Sequence, residues 1–192
     1  AGLQLAWDFV VASQEGTTGK ALWMRNDLYE RIGPEGPSYV IDTIEEHTND
    51  TTAKRIKGHM FVPLYTDVDG PGALLNRDAD GMPYAEGETR VPFTIIVPNT
   101  AIEDPRPLPL LQYGHGLLGG QGEAHGSYLS EFADTYGYII FAVDWTGMKE
   151  EDAGPISLML VTDLAKFAMI PERSQQGFIE FLAAMKMMKG AM

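Results

Sequence analysis

The sequence predicts an α/β fold, in which an N-terminal α+β extension precedes the first strands of a larger, partly parallel sheet. Three observations carry that prediction. The segment Tyr138–Val143 (YIIFAV) is apolar almost throughout, as strands buried on both faces of a parallel sheet are. A short apolar run at 108–113 and a helical stretch at 121–136 precede it, and helical patterns at 156–170 and 172–189 follow it. Strand, helix, strand, helix in that order is the pattern of a βαβ unit.

In chain order, Leu3–Ser13 (LQLAWDFVVAS) is rich in β-branched and aromatic residues and predicts a strand. Thr17 or Thr18 is placed to cap a helix over 19–32, which Gly33-Pro34 would end. Residues 38–44 and 55–65 predict two more strands, and the Asp, Gly, Pro and Asn of 66–90 a long loop or hairpin. Arg90–Pro98 (RVPFTIIVP) predicts another strand, and a proline-rich link at 105–109 leads to the run ending at Tyr113. Pro171 separates the last two helices and suits a first helical position. A boundary near residue 50 divides residues 1–50, the extension, from 51–192.

Composition narrows function. With 14 basic against 27 acidic residues the net charge is −13, which disfavours nucleic acid and anionic membrane surfaces as partners. The absence of cysteine excludes disulfides, thiolate nucleophiles and cysteine-based metal sites, and leaves the compartment open. No apolar run reaches 18 residues, so no membrane span is expected.

The segment Tyr113-Gly114-His115-Gly116-Leu117-Leu118-Gly119-Gly120 follows an apolar strand and opens a helix. Such a turn presents backbone N–H groups at the carboxyl edge of a sheet, where open α/β folds bind ligands. With LPLLQYGHGLLGG before the helix and YGYIIFAVDWTG after it, this stretch resembles the third strand, first helix and fourth strand of bacterial esterases and lipases of the α/β-hydrolase superfamily. RIKGHMFVPLY and RVPFTIIVPNT resemble their first two strands, so the likeness covers roughly residues 55–190. It implies a serine carboxylic-ester hydrolase acting on a small-molecule ester without a cofactor. By that match Gly116 would shape the turn, the Leu117 N–H would contribute to the oxyanion hole, and His115 would brace the turn from behind. Leu118 and Trp145 are the implied pocket residues; the localisation stays unknown, with an exported or cell-envelope bacterial protein favoured over a cytoplasmic one.

The attacking machinery of such an enzyme is missing. No serine lies in a G-x-S-x-G elbow. Ser174 comes nearest, in Ser174-Gln175-Gln176-Gly177, but no strand precedes it and a helix-start role is expected. Residues 172–189 resemble the helix before the nucleophile strand, and the chain stops at Gly190-Ala191-Met192. The expectation is a chain truncated before the nucleophile elbow, whose C-terminal remainder is absent or forms a second chain, and no turnover from these 192 residues alone. Two alternatives stand: a non-catalytic binding module or one chain of a split enzyme, and a nucleotide-binding domain. Gly114, Gly116 and Gly119 spell G-x-G-x-x-G, with Asp144 about 25 residues on as the acidic partner.

Two further signals have plain readings. Asn76, Asp78 and Asp80 with Gly81 resemble the opening of a calcium loop, but residue 87 is Gly where a bidentate Glu is needed, so a hairpin turn is expected. The methionines of the C-terminal segment suit an adaptable apolar wall or lid, while helical spacing of Phe178, Leu182 and Met185 predicts core packing.

Overall fold

The computed structural model describes residues 2, 5–8, 10–190 and 192. It is a mixed α/β structure with a five-stranded sheet and five helices: α1 (Lys20–Ile32), β1 (Tyr39–Asn49), β2 (Thr52–Pro63), β3 (Glu88–Pro98), α2 (Thr100–Glu103), β4 (Leu110–Tyr113), α3 (Ser127–Tyr136), β5 (Ile139–Val143), α4 (Ala153–Thr162) and α5 (Met169–Lys189). The sheet order is β1-β2-β3-β5-β4. β1 through β3 form an antiparallel meander, β3 pairs antiparallel with β5, and β4 joins β5 in parallel. The turn at residues 50–51 joins β1 to β2 within this sheet.

β5 shows why its sequence is apolar throughout. Phe141 and Val143 face one core, with Met24 and Leu28 of α1, Phe93 and Ile95 of β3, and Ile179, Ala183 and Met187 of α5. Ile140 and Ala142 face the other, with Ile96, Ala124 and Ala133 under α3. Burying both faces of one five-residue strand leaves no position for a polar side chain. β4 ends the sheet and is only half-buried.

Several expectations need correction. The predicted strand at 3–13 lies partly outside the described residues (Leu3, Gln4 and Phe9), and the described residues 5–8 and 10–13 form no strand. Strand propensity reports fitness for a half-buried pleated surface, and Trp7, Val10 and Val11 have no such surface to fit. Neither Thr17 nor Thr18 caps α1. A wider helical turn, Glu15–Gly19, runs straight into it, and both hydroxyls turn back to the carbonyls of Ser13 and Gln14. Ser13 does the capping one turn earlier, its Oγ accepting from Gly16 N–H at 2.9 Å.

The helix expected over 156–170 breaks at Asp163, whose carboxylate accepts from Ala165 N–H and opens a separate 3₁₀ turn, Leu164–Ala168. Pro171 is third in α5, still within the first turn where no backbone bond is lost. Ser174 lies beyond that turn and starts nothing.

α5 ties the carboxyl-edge loops together. Glu172 accepts from Leu75 N–H and Arg77, Gln176 accepts from Tyr65 N–H, and Arg173 pairs with Asp152 at 2.7 Å and Glu151 at 2.8 Å. Gly177 lets the segment 145–146 lie directly on the helix, because a Cβ there would overlap the Thr146 carbonyl and the Trp145 ring.

Candidate functional site

The glycine-rich turn leaves the carboxyl end of β4 beside the segment that leaves β5, where open α/β sheets bind ligands. The two segments are laced together. Leu118 N–H donates to Met148 O, Glu150 N–H donates to Gly119 O, and Gly119 bridges Lys149. Gly116 to Gly119 form a β-turn closed by Gly119 N–H on Gly116 O at 3.0 Å. Leu118 sits at its third position with φ of 58°, while Leu117 is not in the positive region. That combination defines a type II turn, in which the third residue is ordinarily Gly. A leucine held there stores backbone strain, which folds tend to keep at functional positions.

His115 is pinned on both sides. Its Nδ1 donates to Gly116 O at 2.8 Å and its Nε2 accepts from Trp145 N–H at 2.7 Å. Only the neutral Nδ1–H tautomer satisfies both bonds. The ring therefore couples the first residues of the turn to the end of β5 and has no nitrogen left to act on a substrate.

The N–H groups of the turn differ in availability. Gly116 N–H donates to Glu123 Oε2 at 3.2 Å, and that oxygen also accepts from Tyr113 Oη at 3.1 Å. Those two bonds hold the exposed Glu123 carboxyl below its ordinary range, with the Gly116 bond the larger cause. Leu117 is 79% exposed, and its N–H meets no acceptor among the described residues. One donor is thus spent on holding the turn, and the next is without an acceptor among the described residues.

Alongside lies a cleft of about 530 Å³, lined by Gly119, Gly120, Gln121, Asp144, Lys149 and Glu151 among others. Asp144 Oδ1 accepts from Gln121 N–H at 2.7 Å and so fixes the start of the 3₁₀ turn Gln121–His125. Lys149 pairs with Glu151 at 2.8 Å. The lining is acidic on balance, and with Glu123 above the glycines it opposes a phosphate.

Trp145 turns away from this cleft. Its indole N–H donates to Ser174 O at 3.1 Å and its ring packs on Phe181 at 4.7 Å. Behind it the buried Asp152 accepts from Gly147 N–H and binds Arg173. Glu180, also buried, lines a polar cavity of about 40 Å³ with Asp144, Thr146 and Lys149.

Asn76, Asp78 and Asp80 form a turn. Asp78 Oδ1 accepts from Asp80 N–H and Met82 N–H, Asn76 Nδ2 donates to Thr66 O, and Arg77 bridges Pro83. Among the described residues no three His, Cys, Asp or Glu side chains come together as a ligand set, and no helix is long and apolar enough to cross a membrane.

Sequence reasoning missed Glu123, Asp152 and Glu180. Glu123 had a local signal, an acid just beyond a run of glycines with free N–H groups. The other two act through partners distant in sequence and had none.

The molecule is, by its structure, a mixed α/β protein with its glycine turn at the carboxyl edge of a parallel strand pair. No protein-family profile and no curated protein matches the chain. Among solved structures, a Bacteroides fragilis protein provisionally named an acetyl xylan esterase is similar over 88% of this chain, with 15% identity and a TM-score of 0.41. The chain spans 41% of that protein's length. A likeness that distant carries no conclusion about activity.

Proposed function

We propose that this chain supplies the oxyanion-hole turn of a serine carboxylic-ester hydrolase of the α/β-hydrolase type, and that the nucleophile resides on polypeptide other than these 192 residues. One observation carries the reading: a Leu117 N–H with no acceptor among the described residues, at the carboxyl end of β4, in a strained turn braced by His115. In acyl transfer the carbonyl oxygen gains charge as the tetrahedral intermediate forms, and fixed N–H donors aimed at it lower the barrier. In hydrolases of this type the second donor is the N–H of the residue after the nucleophilic serine, which sits in a G-x-S-x-G elbow. The acidic cleft suits a neutral ester of a hydroxylated alcohol, and its carboxylates disfavour anionic substrates.

The test uses the gene's full reading frame, or this chain together with any chain that co-purifies, assayed on p-nitrophenyl esters. Leu117→Pro deletes the donor while occupying the second position of a type II turn, where proline is favoured. It should lower kcat by about 100- to 1,000-fold with little change in KM, whereas Leu117→Ala, which keeps the N–H, should stay near wild type. Equal activity of the two variants would refute the role. Ester hydrolysis by the pure 192-residue chain would refute the claim that the nucleophile lies elsewhere.

A second reading, a non-catalytic module, is favoured by Glu123, which already takes the Gly116 N–H. It predicts a reading frame and partners without a G-x-S-x-G elbow.

A further inference from the structure

α4, with the sequence AGPISLMLVT, is apolar all round. Leu158 (62% exposed), Leu160 and Val161 stand in solvent, as do Leu164 and Phe167 of the following 3₁₀ turn. A helix apolar on every side is ordinarily buried, and of these exposed residues Leu158 is the one that lines the adjoining hollow. That hollow, of about 510 Å³, opens between α4, the start of α5 and the tip of the 66–87 loop. Leu74, Pro155, Leu158, Met159 and Met169 form much of its wall, and Lys166 is its only charged lining residue among those described. It shares no lining residue with the cleft at the glycine turn.

Three properties identify the occupant's chemistry. The volume falls within the range of small-molecule sites, roughly 300–1,000 Å³. Two thioethers on the wall adapt to a flexible, unbranched chain better than branched side chains do. At the rim, Lys166 Nζ lies 3.8 Å from Asp163 Oδ2, a loose and exposed pairing that leaves the ammonium able to take a second anion. A second copy of the chain is a poor occupant, since two molecules each carrying −13 repel.

The geometry points to a binding site for a single-chain fatty carboxylate, its tail in the hollow and its head group on Lys166. The site is separate from the glycine turn and does not depend on the ester-hydrolase reading, because its readout is binding without turnover.

Isothermal titration calorimetry with octanoate, decanoate, dodecanoate and tetradecanoate, each below its micellar concentration, tests it. Kd should tighten about fourfold per added methylene until the hollow is full. Ala165→Trp fills the hollow from an exposed position and should weaken dodecanoate binding at least tenfold with Tm unchanged. Lys166→Glu should weaken dodecanoate about tenfold and leave dodecanol as it was. No saturable binding, or dodecanoate binding unaffected by Ala165→Trp, overturns the site. Equal response of acid and alcohol to Lys166→Glu overturns the head-group assignment. A concentration-dependent dimer that Ala165→Trp abolishes assigns the face to a second copy and overturns the proposal.

Discussion

Replacing Glu180 by glutamine should stabilise the protein at alkaline pH and change little in acid. Glu180 is fully buried on α5, and its Oε2 has no hydrogen-bond partner. Burial raises its pKa from 4.5 to about 7, while the nearby Thr146 hydroxyl, the Gln176 amide, Lys149 and Arg173 pull the other way. Because the folded value lies above the unfolded one, the native state holds a proton that the unfolded state has released. The stability this confers is fully present below pH 4.5 and is lost as pH rises through about 7. A shift of that size corresponds to about 3 kcal/mol at pH 8. Glutamine keeps the acceptor for Gln176 and removes the charge, so the variant should gain up to about 3 kcal/mol at pH 8, or roughly 6–12 °C in Tm for a chain of this length. Urea denaturation of both proteins between pH 4 and 9 measures it. A stability difference that stays constant across that range would refute the reasoning, as would a variant less stable at pH 8.

Three other outcomes follow from the packing around α5 and the turn. Gly177→Ala should destabilise by about 2 kcal/mol or more, because overlap with Thr146 and Trp145 outweighs the gain of about 1 kcal/mol in helix propensity; a stabilised variant in urea melts would contradict this. Asp152→Ala strips Arg173 of its closest partner in a pair whose side chains are each 3% exposed, and should cost about 3 kcal/mol by the same measurement. The lower end of the usual range applies because Glu151 still contacts Arg173. His115→Ala leaves Trp145 N–H without an acceptor and should cost about 1–2 kcal/mol. Exchange of the Trp145 amide should then accelerate, and an unchanged exchange rate would show that the ring braces nothing.

Most strands and helices of residues 20–143 were legible because their signals are local, but the short α2 (Thr100–Glu103) had no hydrophobic periodicity to announce it and β1 runs to Asn49, five residues past the predicted end. Burial on both faces of β5 forces an unbroken apolar run, and Gly33-Pro34 stops α1 where the chain must turn. The N-terminal segment misled for the converse reason: valine and tryptophan favour a strand only where a pleated surface awaits them, and the chain brings none to residues 10–13. Asp163 broke a helix through a bond to a backbone N–H two residues on, a competition that hydrophobic periodicity does not register. At the turn, the glycines announced a close backbone approach. That Glu123 takes one N–H and leaves the next without an acceptor among the described residues depended on how the 3₁₀ turn folds back, which spacing alone does not determine.

The packing of α1 against α5 bears on how this chain folds as it is made. Met24 and Leu28 share one core with Ile179 and Met187, from opposite ends of the sequence. As the polypeptide emerges from the ribosome, the meander of β1 to β3 can pair early, yet its α1 face has no lid until α5 is out. Chaperone capture or an arrest-peptide force profile should show that face bare until α5 has emerged, with compaction only once Met187 clears the exit tunnel. Compaction well before that point would mean that α1 finds another resting place first.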